Sequence, residues 1–435
     1  MKKKSLLSNA SLMTGVSVVS QGITILRFSV FIKLLSVHMF GLLQVVVASI
    51  EMVKGILEVR ANEALTRYFI EAKIKNDSGR MWAIIRLGYL IDLAIAIVGF
   101  LFFQVSASYI ADLYGESVEY PLGNWLRLYA FYFLAGMGGN SMWGILQSYE
   151  KFNALARIQF YLEFGRVVFP LLFYLLWGGL ESILIGFVVA IALNNYVGQI
   201  LTWIFIKKTI PQSNEGHVKE EFKLMWPFFK QSFFSLCLKS VNRQAVLPMV
   251  QMLTNNSVIT AVVSIAIKLA SLLSLTTSAV SSVFFTRFTE LWVKRKYKEF
   301  RALILKATRI IFVASFLFAI LIYFTFPLFL RLLGKEGEAD FAALPDLLMV
   351  YLAVNVVVCA ASWARPACLA MSRPQYSTYA NLLIAVIFLS AAPLLLPTFG
   401  LAGMAVTYMV MWLLPMLLYS VWIWVVLGRF EKVHE

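Results

Sequence analysis

The chain has 435 residues, 60% of them hydrophobic and only 14% charged, with a formal net charge of +15. Soluble domains carry about 25% charged residues, so the balance excludes an ordinary soluble protein and points to an integral membrane protein. The basic residues are dispersed between apolar segments, which argues against nucleic-acid binding and makes them reporters of membrane topology.

Met1 to Lys4 precede an apolar run at about 11–35 that is longer than a signal h-region and ends in no small-residue cleavage site, so a retained first helix is expected. Further spans follow along the chain. The full set is approximately 9–34, 39–59, 82–106, 122–146, 154–177, 183–206, 224–252, 257–286, 303–330, 343–364, 376–396 and 400–427, about twelve crossings at roughly 20 residues each. Pro170, Pro248, Pro327, Pro366, Pro393 and Pro415 lie within or beside these segments, where each removes a backbone donor and can kink its helix.

Alternate connections carry the basic residues. On one side stand Lys2 to Lys4, Arg60, Arg67, Lys73, Lys75, Arg80, Lys151, Arg157, Lys207, Lys208, Lys219, Lys223, Arg287, Lys294 to Lys296, Lys298, Arg301, Arg365, Arg373, Arg429 and Lys432. The other side holds only Lys33, Arg331 and Lys335, with the acidic stretch SYIADLYGESVEYP. By the positive-inside rule both termini are expected in the cytoplasm.

The polar stretch KKTIPQSNEGHVKEE, 207–221, leaves about six helices on either side. The expectation is a bundle over 1–206, a cytoplasmic linker over 207–221 and a second bundle over 222–435. VVVASIEMVK in the second span resembles AVVSIAIK in the eighth, its counterpart. Equal, even halves would be parallel repeats around a central cavity, a natural place for a solute.

Metal and cofactor chemistry are not expected. Cys237, Cys359 and Cys368 fall at irregular spacing in apolar segments, and His38, His217 and His434 form no HExxH-type pattern. No outer connection is long enough to fold as a domain, and no DxD-type carboxylate cluster serves a membrane glycosyl- or phosphotransferase, so an enzyme is not expected.

The chemistry is instead inside the spans. Arg27, Lys54, Arg166, Lys239, Arg243 and Lys268 are basic and Glu51, Asp92 and Glu163 acidic near span centres. Facing lipid, such a set would cost on the order of 20–30 kcal/mol, more than the roughly 5–15 kcal/mol by which a typical domain is stable. Helical spacing gathers them into stripes: Ser17, Ser20, Thr24 and Arg27; Gln44, Glu51, Lys54 and Glu58; Gln159, Glu163 and Arg166; Ser235, Lys239, Asn242 and Arg243. Asn195 with Gln199, and Tyr351 with Asn355 and Ser362, extend the polar faces.

Two readings compete for several of these. Glu51 with Lys54, and Glu163 with Arg166, stand three apart and equally suit local ion pairs. Asp92 suits a structural contact to a neighbouring helix or proton exchange, and Asn and Gln in spans suit interhelical hydrogen bonds as well as cavity lining. Arg27, Lys239 and Lys268 have no carboxylate three or four positions away in their own helices. Six central cations against three carboxylates favour an anionic solute, and phosphate or pyrophosphate is an apt partner for Arg and Lys.

With this pattern in place, LRFSVFIKLLSVHMFGLLQVV, EVRANEALTRYFIEA and SRPQYSTYANLLIAVIFLSAAPLLLPTFGLAGMAVTYMV resemble the first two helices, the following basic segment and the last two helices of the Wzx-type polysaccharide-transporter flippases of the multidrug/oligosaccharidyl-lipid/polysaccharide superfamily. The resemblance implies movement of an undecaprenyl-pyrophosphate-linked oligosaccharide from the cytoplasmic to the periplasmic leaflet of a bacterial inner membrane, by alternating access through a cationic cavity. It also implies use by a polysaccharide polymerase machinery and, for Arg27, the place of a cavity cation. A proton or sodium ion is the candidate coupling ion, with Glu51, Asp92 and Glu163 as its candidate sites. The main alternative is a cation-coupled multidrug exporter of the same superfamily, although such exporters often carry a carboxylate in the first helix and this one has none.

Overall fold

The structure is a computed structural model. It describes residues 3–58, 61–115, 119–213, 216–275, 277, 287–288, 290–292, 294–335, 337–371 and 375–434. Lys2, Arg60 and Arg373, the side chains of Lys3, Lys4, Ser235 and Lys432, and the end of the expected eighth span at 278–286 lie outside the described residues.

Among the described residues the secondary structure is helical and no strand occurs. A bilayer core offers backbone N–H and C=O groups no water, and helices satisfy them within one segment. Nine described helices are long and apolar enough to cross a membrane. The last, Thr378–Phe430, breaks at Gly400 (φ 56°, ψ −133°) and so carries both final expected spans. The expected span at 122–146 is broken into three pieces, and that at 224–252 is met by helices Val218–Gln244 and Val246–Thr254. Each of the twelve expected segments therefore has a helical counterpart, in an all-helical, multi-pass membrane protein.

The chain forms two compact units, residues 1–30 with 45–248, and residues 31–44 with 249–435. This division runs differently along the chain from the expected bundles. The 218–244 helix packs on the helices at 61–74 and 78–113.

The helices that contribute to the first unit are α1 (Lys3–Leu34, as far as Val30), α2 (Val37–Leu57, from Val45), α3 (Ala61–Ile74), α4 (Ser78–Leu113), α5 (Leu122–Tyr129), α6 (Phe131–Ala135), α7 (Gly139–Ser148), α8 (Phe152–Trp177), α9 (Gly179–Thr209) and α10 (Val218–Gln244). Asp77 caps α4 by accepting a hydrogen bond from the Arg80 N–H at 2.9 Å. At 1.5 Å per residue the 36 residues of α4 run about 54 Å, well beyond a hydrocarbon core of about 30 Å. Its start is buried on nearly every side, from Met81 to Ile85, by protein. Farther along, Asp92, Ala96, Gly99, Phe103, Ala107 and Ala111 face inward, while Leu93, Ile97, Leu101 and Val105 are exposed. Small residues inside and large aliphatics outside are the pattern of a helix that packs on protein and meets lipid.

The basic connection after the second span forms a packed helix, α3. In α3, Ala64, Leu65, Phe69 and Ala72 are buried in one cluster with Met81, Trp82, Ile145, Ile206, Ile210, Met225 and Phe229. That cluster also anchors the stretch read as a linker. Trp82 Nε1 donates to the Pro211 carbonyl at 2.9 Å, and Arg80 reaches both Glu221 (2.6 Å) and Glu71 (3.0 Å). Hydrogen bonds from Arg80 and then Lys75 hold the Glu71 carboxyl below the usual carboxylate range.

In the second unit, Asn256 caps helix Ser257–Ser271 through hydrogen bonds from the Val258 and Ile259 N–H groups. Helix Leu344–Ala360 packs on both Tyr297–Leu333 and Gln375–His434, with Tyr351 stacked on Tyr408 at 3.8 Å. Phe288, Phe300, Trp363, Cys368, Ile423 and neighbours form a separate cluster.

Candidate functional site

The first unit contains a cavity of about 340 Å³. Helix α2 and the residue after it contribute Glu51, Lys54, Gly55 and Glu58; α10 contributes Lys239, Ser240, Arg243 and Gln244; α6 adds Tyr132 and α8 adds Arg166. Spacing explains the α2 set, since steps of three, one and three keep all four residues on one helical face. The close approach of α2 and α10 is set by Gly55. A Cβ there would collide with Ser240 Oγ, which instead donates to the Met52 carbonyl at 2.9 Å.

Four basic side chains and two carboxylates line this space. Among the described residues the local Glu51–Lys54 ion pair, one of the two readings open from the sequence, does not form. Lys54 Nζ donates to Tyr132 Oη at 3.0 Å and lies 4.7 Å from the centre of the same ring. A hydroxyl with an aromatic face offers both a hydrogen bond and a cation–π attraction worth about 0.5–2 kcal/mol.

The other expected local pair is present and extended. Glu163 Oε1 accepts from Arg166 at 3.2 Å, and Glu163 Oε2 stands 3.5 Å from Arg27 across from α1. One carboxylate thus serves two guanidinium groups, leaving one excess positive charge. Arg27 also lies 5.8 Å from the Phe187 ring centre. The question of how Arg27 is tolerated at mid-span has a local answer: a carboxylate on α8 and an aromatic on α9 cover it.

Three sequence candidates fall elsewhere, at the break between α6 and α7. Gly138 adopts φ 78°, a left-handed conformation that costs an L-residue with a side chain. The break would orphan carbonyls at the end of α6 and N–H groups at the start of α7. Asn195 Nδ2 donates to the Ala135 and Met137 carbonyls at 3.0 and 2.7 Å, Gln199 Nε2 to Met137 at 2.6 Å, and Tyr196 Oη to Leu134 at 2.9 Å. On the other side the Asp92 carboxylate accepts from Ser141 N (2.9 Å), Ser141 Oγ (2.7 Å) and Asn140 Nδ2 (3.3 Å). Asp92 sits at the positive end of α7, where an anion is favoured. Hence Asp92 forms no ion pair among the described residues, and Asn195 and Gln199 clasp backbone instead of lining the cavity.

The remaining candidates separate. Asn242 is buried on α10 beside the cavity-lining Arg243. Lys268 and Asn355 belong to the second unit: Lys268 is exposed on helix Ser257–Ser271, and Asn355 donates to the Tyr351 carbonyl and to Tyr408 Oη, at 2.8 and 2.9 Å. Tyr132, Ser240 and Gln244 line the cavity without having been singled out from sequence. The glycine-rich AGMGGN after Tyr132 is the signal that the surrounding span is discontinuous, and such broken spans can place side chains at a cavity. Among the described residues no cluster of His, Cys, Asp and Glu could hold a metal ion.

No family model matches the sequence, and no curated protein matches it. Solved structures do resemble it. An inward-facing multidrug resistance MATE family transporter of the MOP superfamily matches with TM-score 0.80 at 13% identity, over 95% of this chain and 96% of that one. Lipid II flippase MurJ in an inward closed conformation gives TM-score 0.70 at 15% identity, over 93% and 86%. A MOP superfamily transporter from Pyrococcus furiosus, for which reverse polarity of the binding pocket suggests a different function, gives 0.67 at 14% identity, over 99% and 96%. At these identities the likeness is one of fold, and the fold of this chain is that shared by the MATE and MurJ transporters of the MOP superfamily.

Proposed function

We propose that this protein is a flippase that moves an undecaprenyl-pyrophosphate-linked oligosaccharide from the cytoplasmic to the periplasmic leaflet of a bacterial inner membrane by alternating access, supplying a polysaccharide polymerase machinery. The observation that carries this reading is the cavity lined by Lys54, Arg166, Lys239 and Arg243 against two carboxylates, with Arg27 and Arg166 sharing Glu163 beside it. In a low-dielectric setting a surplus of fixed cations favours an anionic head group, and guanidinium forks match phosphate oxygens in geometry. The structural likeness to a lipid II flippase supports a lipid-linked cargo. On this reading both termini are cytoplasmic, the two halves are parallel repeats, and proton or sodium coupling falls to Glu51, since Asp92 is engaged by Asn140 and Ser141 and Glu163 by Arg27 and Arg166.

The test is delivery of repeat units in cells whose own copy is replaced by Lys239→Ala/Arg243→Ala. The variant is expected in the membrane at normal abundance with delivery lost and lipid-linked oligosaccharide accumulating. Normal delivery would refute the cavity assignment.

A cation-coupled multidrug exporter is the second reading, favoured by the TM-score of 0.80 to a MATE family transporter. Its cargo would be cationic, which the basic lining disfavours, and α1 offers no carboxylate. Lowered accumulation of cationic dyes on expression would favour it over the flippase.

A further inference from the structure

Glu51 and Glu58 have no place in a site built only to attract an anion. They line the cavity seven residues apart, about 10 Å along the helix direction, with Lys54 between them. Lys54 is three residues from one and four from the other, the spacings at which a helical ion pair forms, yet it turns to Tyr132. Arg27 and Arg166 are taken by Glu163. Among the described residues neither the Glu51 nor the Glu58 carboxylate has a hydrogen bond or an ion pair, and both are half-buried. A carboxylate that merely balanced charge would close on a neighbouring cation.

We propose that Glu51 and Glu58 make this cavity selective for a head group whose sugar next to the anion is uncharged, and exclude one whose sugar carries a carboxylate. The proposal rests on the flippase reading and adds a cargo class to it. An ionised carboxylate only accepts hydrogen bonds, and a sugar rich in hydroxyls presents donors along its rim. The basic residues hold the phosphate end while Glu51 and Glu58 accept from the sugar. A uronic acid would set like charges against each other where little water screens them, a penalty that discriminates between partners more than it adds affinity.

The experiment uses the full chain in lipid nanodiscs and three probes: a short polyprenyl pyrophosphate, the same lipid bearing N-acetylglucosamine, and the same lipid bearing glucuronic acid. The wild type is expected to bind the N-acetylglucosamine lipid at least tenfold more tightly than the glucuronic acid lipid. In Glu51→Gln/Glu58→Gln that ratio should fall to within about twofold, while the bare pyrophosphate lipid binds more tightly because two like charges are gone. Equal affinity of the wild type for both sugar lipids overturns the proposal without any variant. A ratio preserved in the double variant, or in both single variants should the double one not fold, also overturns it. No binding of the bare pyrophosphate lipid by the wild type overturns the flippase reading and this inference with it, whereas binding without discrimination overturns the inference alone.

Discussion

Two polar regions of the first unit, the α6–α7 break and the cavity, use the same side-chain types for opposite purposes. At the break, Asp92, Asn195, Gln199 and Tyr196 each meet a backbone or side-chain partner, and the interruption in the span is closed on both sides. At the cavity, Glu51 and Glu58 stand open and the basic residues outnumber them. The difference teaches that a polar residue inside a span is explained by what it satisfies. A group whose hydrogen-bonding capacity is used up by the fold holds the fold, and one that is left facing a cavity is available to cargo.

That comparison can be broken by mutation. Asp92→Ala should be the most damaging change, because it strips the Ser141 N–H and hydroxyl and the Asn140 amide of a buried anionic acceptor; a loss of about 3–5 kcal/mol is expected, read as a fall in the melting temperature of the detergent-solubilised protein. Gly138→Ala comes next. Its Cβ would meet Gln199 Oε1 at 2.5 Å in a left-handed backbone, and about 1–3 kcal/mol should be lost by the same measurement. Asn195→Leu, which removes the amide donor to the Ala135 carbonyl and leaves Met137 to Gln199 while keeping volume, should cost about 1–3 kcal/mol. Lys239→Ala/Arg243→Ala should change the melting temperature little, within about 1 kcal/mol, while abolishing binding of polyprenyl pyrophosphate. A large stability loss there, with a small one at Asp92, would reverse the assignment of the two regions.

The smallest effect concerns pH and lies outside both. The Glu71 carboxyl is held below its ordinary value of 4.5, so its contribution is present above that pH and is lost as the pH falls through the depressed value. Protection of α3 against hydrogen exchange, corrected for intrinsic rates, should therefore fall modestly as the pH drops through that depressed range and not change in Glu71→Gln. An unchanged wild type across that range would remove Glu71 from the clasp with Arg80.

Much of the fold was legible from sequence because a bilayer constrains it so tightly. Length, composition and apolar runs specify a multi-pass helical protein, and the structure supplies a helical counterpart for each expected segment. The α3 helix escaped because its buried face holds few large residues, with Ala64 and Ala72 beside Leu65 and Phe69, and its outer face is charged. The break in 122–148 escaped because Gly136, Gly138 and Gly139 keep a stretch apolar without saying where the backbone turns. At the site, Lys54, Arg166, Lys239 and Arg243 were gathered by the structure into one cavity, whereas Asp92, Asn195 and Gln199 were drawn to the break and Lys268 and Asn355 to the second unit.

The sequence by itself determined the class of the protein and the surplus of cations within its spans, because hydropathy and charge count act segment by segment, and it offered Glu163–Arg166 and Glu51–Lys54 alike as local pairs without deciding between them. Only the tertiary structure decided that Lys54 leaves Glu51 for Tyr132, that Arg27 finds Glu163 on another helix, and that Asp92 closes a broken span. Those outcomes depend on which polar groups packing brings within about 3 Å of one another, and helical periodicity carries no information across helices.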